Sequence, residues 1–497
     1  MGADDLIIVI LAAGKGTRLK SDLAKVLHRA GGRTLVEHVI RACQPLGAKI
    51  LVVIGHQGED VRAAVTPLGA STVLQRPQNG TGHAMLIARE AIGRAPRLAL
   101  VLPGDAPLIR TETLRALIDT HRNGKAAATI LTAQLGDPSG YGRIVRNPDG
   151  SVGAIAEEKS ASQAEREIRE INSSIYCFTL EKLWPCLTEV RPENTHREIY
   201  LTDAIALLNQ KGERVLAVEA ADAKEILGCN TRAELAEADR GFRARKSAAL
   251  MDDGATIYLP ETVLIDADVE IGHDSVIEPA VQLLGKTKIG ARCTIQTGSV
   301  LTDARLDDDV LVRQHSVVAS SRLGAGAIVG PFAHLREGAE LGPDARVGNF
   351  VEVKKSMLGE GVKAMHLSYL GDATIGRDTN IGAGTITCNY DGVKKNPTRI
   401  GERVFVGSDT ALVAPISVGN GAYIAAGSTV TEDIPADALA IARGRQVNKP
   451  GWAAARRSKM LAAKSAAAGA ANGPAHSKVS GRKPSTKSKT RKNPRRS

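Results

Sequence analysis

Aromatic side chains make up only 3% of this 497-residue chain. Surfaces that stack nucleic-acid bases need clustered rings, so the sparse aromatics argue against that class of binder. Cysteines are few and scattered: Cys43, Cys177, Cys186, Cys229, Cys293 and Cys388, with no C-x-x-C and no His pair at zinc spacing. The expectation is a reduced, cytoplasmic compartment. Long apolar runs are missing as well. Residues 6–13 are too short to span a bilayer, and residues 1–5 carry no basic n-region. Leu6 stands where a myristoylation signal needs Ser or Thr, so no targeting, anchoring or membrane-spanning segment is expected. Acidic residues are absent from 450–497, which holds thirteen Lys or Arg. The net charge of +11 therefore belongs to the tail, and the rest of the chain stands at about −2. A nearly neutral body with a basic tail is not an evident nucleic-acid binder.

What is present is an ordinary globular composition, 43% apolar and 24% charged, which can form cores without disulfides. The length suggests about three domains. Two patterns divide it. Up to residue 230, short apolar runs (6–11, 50–54, 98–102) alternate with helical patterns such as 35–43 and 82–92. This is the signature of an α/β, Rossmann-like fold with a mostly parallel sheet covered on both faces. Residues 231–254 are rich in helix formers and charge and read as a linker helix, with Thr231 and Glu234 spaced as a capping box.

From residue 257 the period becomes six. Ile265, Ile271, Ile277, Leu283, Ile289 and Ile295 begin the series, and Leu323, Val329, Leu335, Leu341, Val347 and Val353 continue it. Neither a helix nor an ordinary strand repeats every six residues, whereas a parallel β-helix of hexapeptide repeats does. At roughly 18 residues per three-sided coil, 257–430 supplies about ten coils. Gly272, Gly290, Gly324, Gly342, Gly376, Gly382, Gly401 and Gly419 follow the aliphatic positions, and turns that need φ > 0 are the expected reason. Residues 388–398 break the rhythm and read as a projecting loop. After residue 449 no apolar period survives, and 450–497 is expected to be a disordered basic tail.

The first apolar run leads into Leu11-Ala12-Ala13-Gly14-Lys15-Gly16-Thr17-Arg18. Small residues after a strand let backbone N–H groups approach a phosphate, although this is not a P-loop. Lys15, Arg18 and Lys25 supply the cations that a triphosphate needs; a solvated basic loop is the alternative. Asp105 follows the run 98–102, at the end of a strand where open α/β sheets bind ligands; an Asp there is equally a helix cap.

The motif LAAGKGTRLKSDLAKVLH resembles the signature of sugar-1-phosphate nucleotidyltransferases. The later stretch AMHLSYLGDATIGRDTNIGAGTITCNYDG resembles the acetyltransferase half of bacterial bifunctional N-acetylglucosamine-1-phosphate uridyltransferase/glucosamine-1-phosphate acetyltransferases. The resemblance covers residues 6–447. It implies two halves, 1–230 for uridylyl transfer and 255–449, a left-handed β-helix, for acetyl transfer, in a homotrimer making UDP-N-acetylglucosamine for peptidoglycan and outer-membrane glycolipid. It implies Mg²⁺ at Asp105 and Asn230, with UTP and acetyl-CoA as co-substrates. Arg18 and Lys25 are expected to act in uridylyl transfer. Leu11, Ala12, Ala13, Gly14, Gln75, Gly80, Thr81, Pro103 and Gly104 would surround the nucleotide, and Gly142, Glu157 and Asn172 the sugar, with Thr202 nearby. In the second half His366 matches the catalytic base, a role that suits an imidazole pKa near working pH. Arg336, Lys354, Tyr369, Asn380 and Lys395 match contacts to glucosamine-1-phosphate, and Ala383, Asn389, Tyr390, Ser408, Ala426 and Arg443 match contacts to acetyl-CoA.

Three positions depart from the family pattern: Ala24 where proline is usual, and His334 and Glu337 where Arg and Pro are usual. Two other readings stand beside this one. In the first, only one half works or the sugar differs, against which Glu157, Asn172 and the HLSYLGD block argue. In the second, the chain is a binding protein whose basic tail engages nucleic acid or an anionic membrane; for the enzyme, nonspecific contact of the tail with nucleic acid is the most that is expected, and no membrane.

Overall fold

The run of aliphatic residues at 6–11 forms a strand whose two faces are both covered, with Ile8, Val9 and Ile10 wholly buried. The computed structural model describes residues 5–190 and 198–471, and the chain divides into two units, Met1–Ala442 and Arg443–Ser497. The first unit opens with a nine-stranded sheet: β1 (Leu6–Ala12), β2 (Lys49–Ile54), β3 (Ser71–Leu74), β4 (Leu98–Pro103), β5 (Ala128–Gln134), β6 (Gly142–Arg146), β7 (Val152–Ala156), β8 (Glu170–Thr179) and β9 (Val215–Glu219). Their order is β9-β5-β8-β4-β1-β2-β3, with β6 paired to β8 and β7. All neighbours on the main path are parallel except β8, which is antiparallel to β4 and β5. The strand order reverses at β1, whose neighbours are β2 and β4, and such a switch opens a crevice beyond the carboxyl ends of the strands.

The helices between strands are amphipathic. Leu35–Cys43 buries Leu35, Val36, Val39 and Ile40 and is capped by Thr34. Thr81–Ile92 begins one residue before the expected start. Arg232–Asp252 carries the anticipated capping box, with Thr231 and Glu234 satisfying each other's backbone amides. This helix is fastened on both sides. Asp239 accepts from Gly31 N at 2.7 Å, and Arg243 reaches Asp266 at 3.3 Å.

From Thr256 onward, strands of two to four residues stack into three parallel sheets of eleven, ten and nine strands, which are the three sides of a β-helix. Ile265, Leu283, Leu301, Val318, Leu335, Val353 and Leu370 form one inward column, each at 0% exposure. Shortening one of them to Ala costs about 2–5 kcal/mol. The loop at 388–398 interrupts the stack as expected, so that Thr374 pairs with Arg399, 25 positions on.

Two expectations are corrected here. The glycines that follow the aliphatic positions do not supply positive φ. A Cβ at Gly272 would lie 2.6 Å from backbone of the next coil, and one at Gly342 2.7 Å, so close coil stacking is what demands them. Positive φ falls two residues later, at Asp274, Arg292, Asp344, Asp378 and Arg403 among others. The tail differs too. Trp452–Ala471 is a helix, because Ala, Lys and Arg have high helix propensity even without an apolar stripe. The remainder of the tail, 472–497, lies outside the described residues.

Candidate active sites

The carboxyl ends of β1 and β4 carry the first cluster. Gly104 N donates to Leu11 O at 2.9 Å, which joins the two strand ends and places Asp105 beside the loop that carries Lys25. Lys25 Nζ forms an ion pair with Asp105 Oδ2 and donates to Asn230 Oδ1 at 2.7 Å. Arg18 donates to the same Asn230 oxygen at 2.8 Å. Asn230 is held from behind: Cys229 N donates to Asp105 O at 3.0 Å, and Asn230 N donates to the capping carboxylate of Glu234 at 2.6 Å. Four expected residues, from positions 18, 25, 105 and 230, therefore meet. Asp105 is 8% exposed and Arg18 is exposed, so the cluster grades from buried carboxylate to open guanidinium.

Alongside lies a cleft of about 900 Å³. Leu11, Ala13, Gly14, Gln75, Gly80, Thr81, Pro103 and Glu157 line it, with Lys15 and Thr202. Ala12 is buried in the adjoining core. Gly80 has φ 98°, and a Cβ there would lie 2.5 Å from Ile199 O, so only glycine fits this turn. Gln75 is buried and donates to Gly80 O at 3.0 Å. Glu157 accepts from the Thr202 hydroxyl at 2.9 Å, and burial pushes its carboxyl above the usual range. Gly142 and Asn172 are cross-strand neighbours, and Asn172 Nδ2 donates to the Tyr176 hydroxyl at 2.8 Å. A larger depression, of about 1360 Å³, is lined by Asp5, Leu98 and Thr179, at the opposite ends of the strands from this cluster. None of the expected residues lines it.

The second cluster lies on the β-helix. His366 is exposed at the end of a strand, and its Nδ1 is 2.8 Å from Asn349 Oδ1, one coil before. With Nδ1–H donating to that oxygen, Nε2 keeps its lone pair. The same corner runs on through Ala383, Ser408 and Ala426, each beside a turn residue of positive φ. On the other side of His366 the turn residues are bulky. His315 stacks on Phe332 at 5.2 Å and Phe332 on Phe350 at 5.7 Å, and Leu367 is 62% exposed.

The expected cations occupy the next sheet and its far corner. Arg336 donates to Glu352 at 2.8 Å, Lys354 lies 3.8 Å from Glu337, and Lys395 lies 3.9 Å from Asp372. Tyr369 pairs in register with Glu352, and Asn389 Nδ2 donates to Asp372 at 2.6 Å. Tyr390 is exposed on the projecting loop, donating to Gly392 O at 2.7 Å. Asn380 lies on the His366 sheet but in register with Lys363 and Phe405, away from that corner. Arg443 belongs to the second unit. Within Met1–Ala442 the other expected residues spread over two sheets of the β-helix and the projecting loop, with Tyr369, Asn389 and Lys395 meeting around Asp372. Sequence reasoning missed Asn349, which orients the His366 ring, and Glu234, which tethers Asn230. The second was visible as a capping box but was read only as a helix start.

A doubly wound sheet with a cation cluster at its switch point, joined to a hexapeptide β-helix bearing an oriented histidine, defines a nucleotidyltransferase fused to an acyltransferase. Residues 8–174 match the family model described as MobA-like NTP transferase domain, and 397–432 match the hexapeptide repeat of succinyl-transferase. A bifunctional protein GlmU from Koribacter versatilis is 50% identical, covering 91% of this chain and 97% of its own. Those from Streptococcus agalactiae serotype V (47%, covering 90% and 97%) and an Anaeromyxobacter species (49%, covering 96% and 98%) are similar. The chain belongs to the bifunctional GlmU family, and it is a bifunctional transferase with a left-handed β-helix as its acyltransferase half.

Proposed function

We propose that the two clusters make UDP-N-acetylglucosamine in sequence, acetylating glucosamine-1-phosphate first and uridylylating the product second. In the β-helix half, His366 Nε2 removes a proton from the sugar amine as its nitrogen attacks the acetyl-CoA thioester. The C–S bond breaks, and the departing thiolate takes up a proton. Asn349 holds the ring in the tautomer this needs. Arg336, Lys354 and Lys395 bind the sugar phosphate. A convex edge cannot enclose a substrate, so a second copy of the chain must supply the opposing wall. The exposed Phe332, Phe350 and Leu367 favour burial against one. Bulky side chains at φ 54°, 58° and 49° are costly unless such a contact offsets the strain. A homotrimer with acetyl transfer between subunits meets that need.

In the sheet half, a phosphate oxygen of N-acetylglucosamine-1-phosphate attacks the α-phosphorus of UTP in line, and pyrophosphate leaves. Such a reaction needs positioning and charge neutralisation more than proton transfer. Lys25 bridges the sugar phosphate and α-phosphate, and Arg18 with Lys15 stabilises the leaving pyrophosphate. Gln75, Gly80 and Thr81 face the base, and Glu157 with Asn172 the sugar.

The donor set suits Mg²⁺. Asp105 Oδ2 and Asn230 Oδ1 already converge on one cation, the Lys25 ammonium, and magnesium needs only one or two protein oxygens beside phosphates and water. Bound there, the ion would neutralise phosphate charge. Six unpaired thiols fit a cytoplasmic enzyme, and among the described residues no helix is long and apolar enough to cross a membrane.

The meeting of Lys25, Asp105 and Asn230 at the strand ends carries this reading. The protein incubated with glucosamine-1-phosphate, acetyl-CoA, UTP and Mg²⁺ should yield UDP-N-acetylglucosamine, free CoA and pyrophosphate. Release of neither by-product would refute it.

A further inference from the structure

Ala24 precedes the short 3-10 turn Lys25–Leu27 and is 1% exposed. Its dihedrals are φ −54° and ψ 136°, so its amide lies outside the hydrogen bonding of the turn. A buried N–H needs an acceptor. Here the acceptor is a side chain distant in sequence, Oε1 of Gln57.

Gln57 occupies an unusual place. It stands at φ 48°, in the left-handed region that residues with a Cβ enter at a cost, at the start of helix Gly58–Val65. Its loop is also pinned to the segment after β1. His56 N donates to Ala13 O at 3.2 Å, and a Cβ at Gly55 would lie 2.7 Å from the same oxygen. The 55–57 loop thus joins the Gly-rich segment through its backbone, and the Gln57 side chain joins it to the segment that delivers Lys25. On the other side, a Cβ on Gly16 would lie 2.6 Å from Lys25 Cβ, so the lysine stem has little room to shift.

We propose that Gln57 is a positioning residue for Lys25: its side-chain oxygen fixes the Ala24 amide and thereby the start of the turn that aims the ammonium at Asp105 and Asn230. The proposal rests on the reading of Lys25 as the group that grips phosphate. Gln57 performs here what a cyclic residue performs covalently. Proline restricts φ to about −65 ± 15°, which includes the value at Ala24, and it has no N–H to satisfy. A proline at position 24 should therefore make Gln57 dispensable.

The test is a cycle of wild type, Gln57→Leu, Ala24→Pro and the double variant. Each is measured for uridylyl transfer, acetyl transfer and amide hydrogen exchange over residues 25–28. Gln57→Leu should speed exchange there and lower uridylyl-transfer kcat about tenfold, as small misplacements of a charge-neutralising group do. Acetyl transfer should stay unchanged. The double variant should regain protection and return to within about threefold of wild type. Unchanged exchange in Gln57→Leu, uridylyl transfer within twofold of wild type, or a double variant no better than Gln57→Leu would each overturn the proposal. Should wild type itself transfer no uridylyl group, the functional reading fails, and the exchange data alone still decide whether Gln57 orders the turn.

Discussion

Glu337 places a carboxylate among the cations proposed to hold the sugar phosphate. Its Oε1 is 3.8 Å from Nζ of both Lys354 and Lys355. Unit charges at that distance interact by about 1 kcal/mol in water and about 4 kcal/mol at an effective dielectric near 20. The Glu337 side chain is 61% exposed, so the lower figure governs, and pairs of this kind contribute about 0.2–1 kcal/mol. An incoming phosphate must displace that pairing and also meets the repulsion of the carboxylate. Replacing Glu337 with Gln keeps the shape and removes the charge. The KM for glucosamine-1-phosphate in acetyl transfer should fall about two- to fivefold at low ionic strength, with kcat unchanged. Because the Debye length shrinks from about 10 Å at 0.1 M salt to about 3 Å at 1 M, the difference should narrow as salt is added. A KM that is unchanged or higher at low salt would refute the reasoning, as would a difference indifferent to salt.

Other outcomes follow from the same geometry. Asn349→Ala removes the acceptor that holds His366 Nδ1 and should lower acetyl-transfer kcat about 10- to 100-fold, with the KM values little changed; equal loss in uridylyl transfer would mean misfolding instead. Burial pushes His121, held between the Thr129 and Thr179 hydroxyls, down to about 4. The unfolded chain takes up that proton below about pH 6.5 and the folded chain only near pH 4. Stability should therefore drop through this window, by up to about 3 kcal/mol, and His121→Gln should flatten the fall of Tm between pH 6.5 and 4.5. An unaltered slope would contradict this. Deleting 453–497 should leave both rates within about twofold; a large loss of acetyl transfer would show that the tail enters a site.

Some of this architecture can be read in the residues and some cannot. The β-helix is legible because every sixth side chain must point inward, and Ile265 through Leu370 do so without exception along one column. The glycines misled, since a glycine demanded by coil stacking looks the same in sequence as one demanded by positive φ. Helix Trp452–Ala471 was missed because an Ala- and Lys-rich segment has no apolar period, although no Gly or Pro interrupts it before Gly469. Of the first cluster, the basic residues after β1 and the Asp at the end of β4 were legible as candidates, but Asn230 and the meeting of positions 25, 105 and 230 came only with the family resemblance, because no spacing connects them. Asn349 left no signal at all: it reaches His366 through the coil repeat, and an Asn at a corner reads as a turn residue.

The central claim is that one chain carries two chemically independent sites. Two variants assayed for both half-reactions test it most directly. His366→Ala should abolish acetyl transfer and leave uridylyl transfer near wild type, and Asp105→Ala should do the reverse, so that an equal mixture of the two again converts glucosamine-1-phosphate to UDP-N-acetylglucosamine. Loss of both half-reactions in either variant would contradict the account.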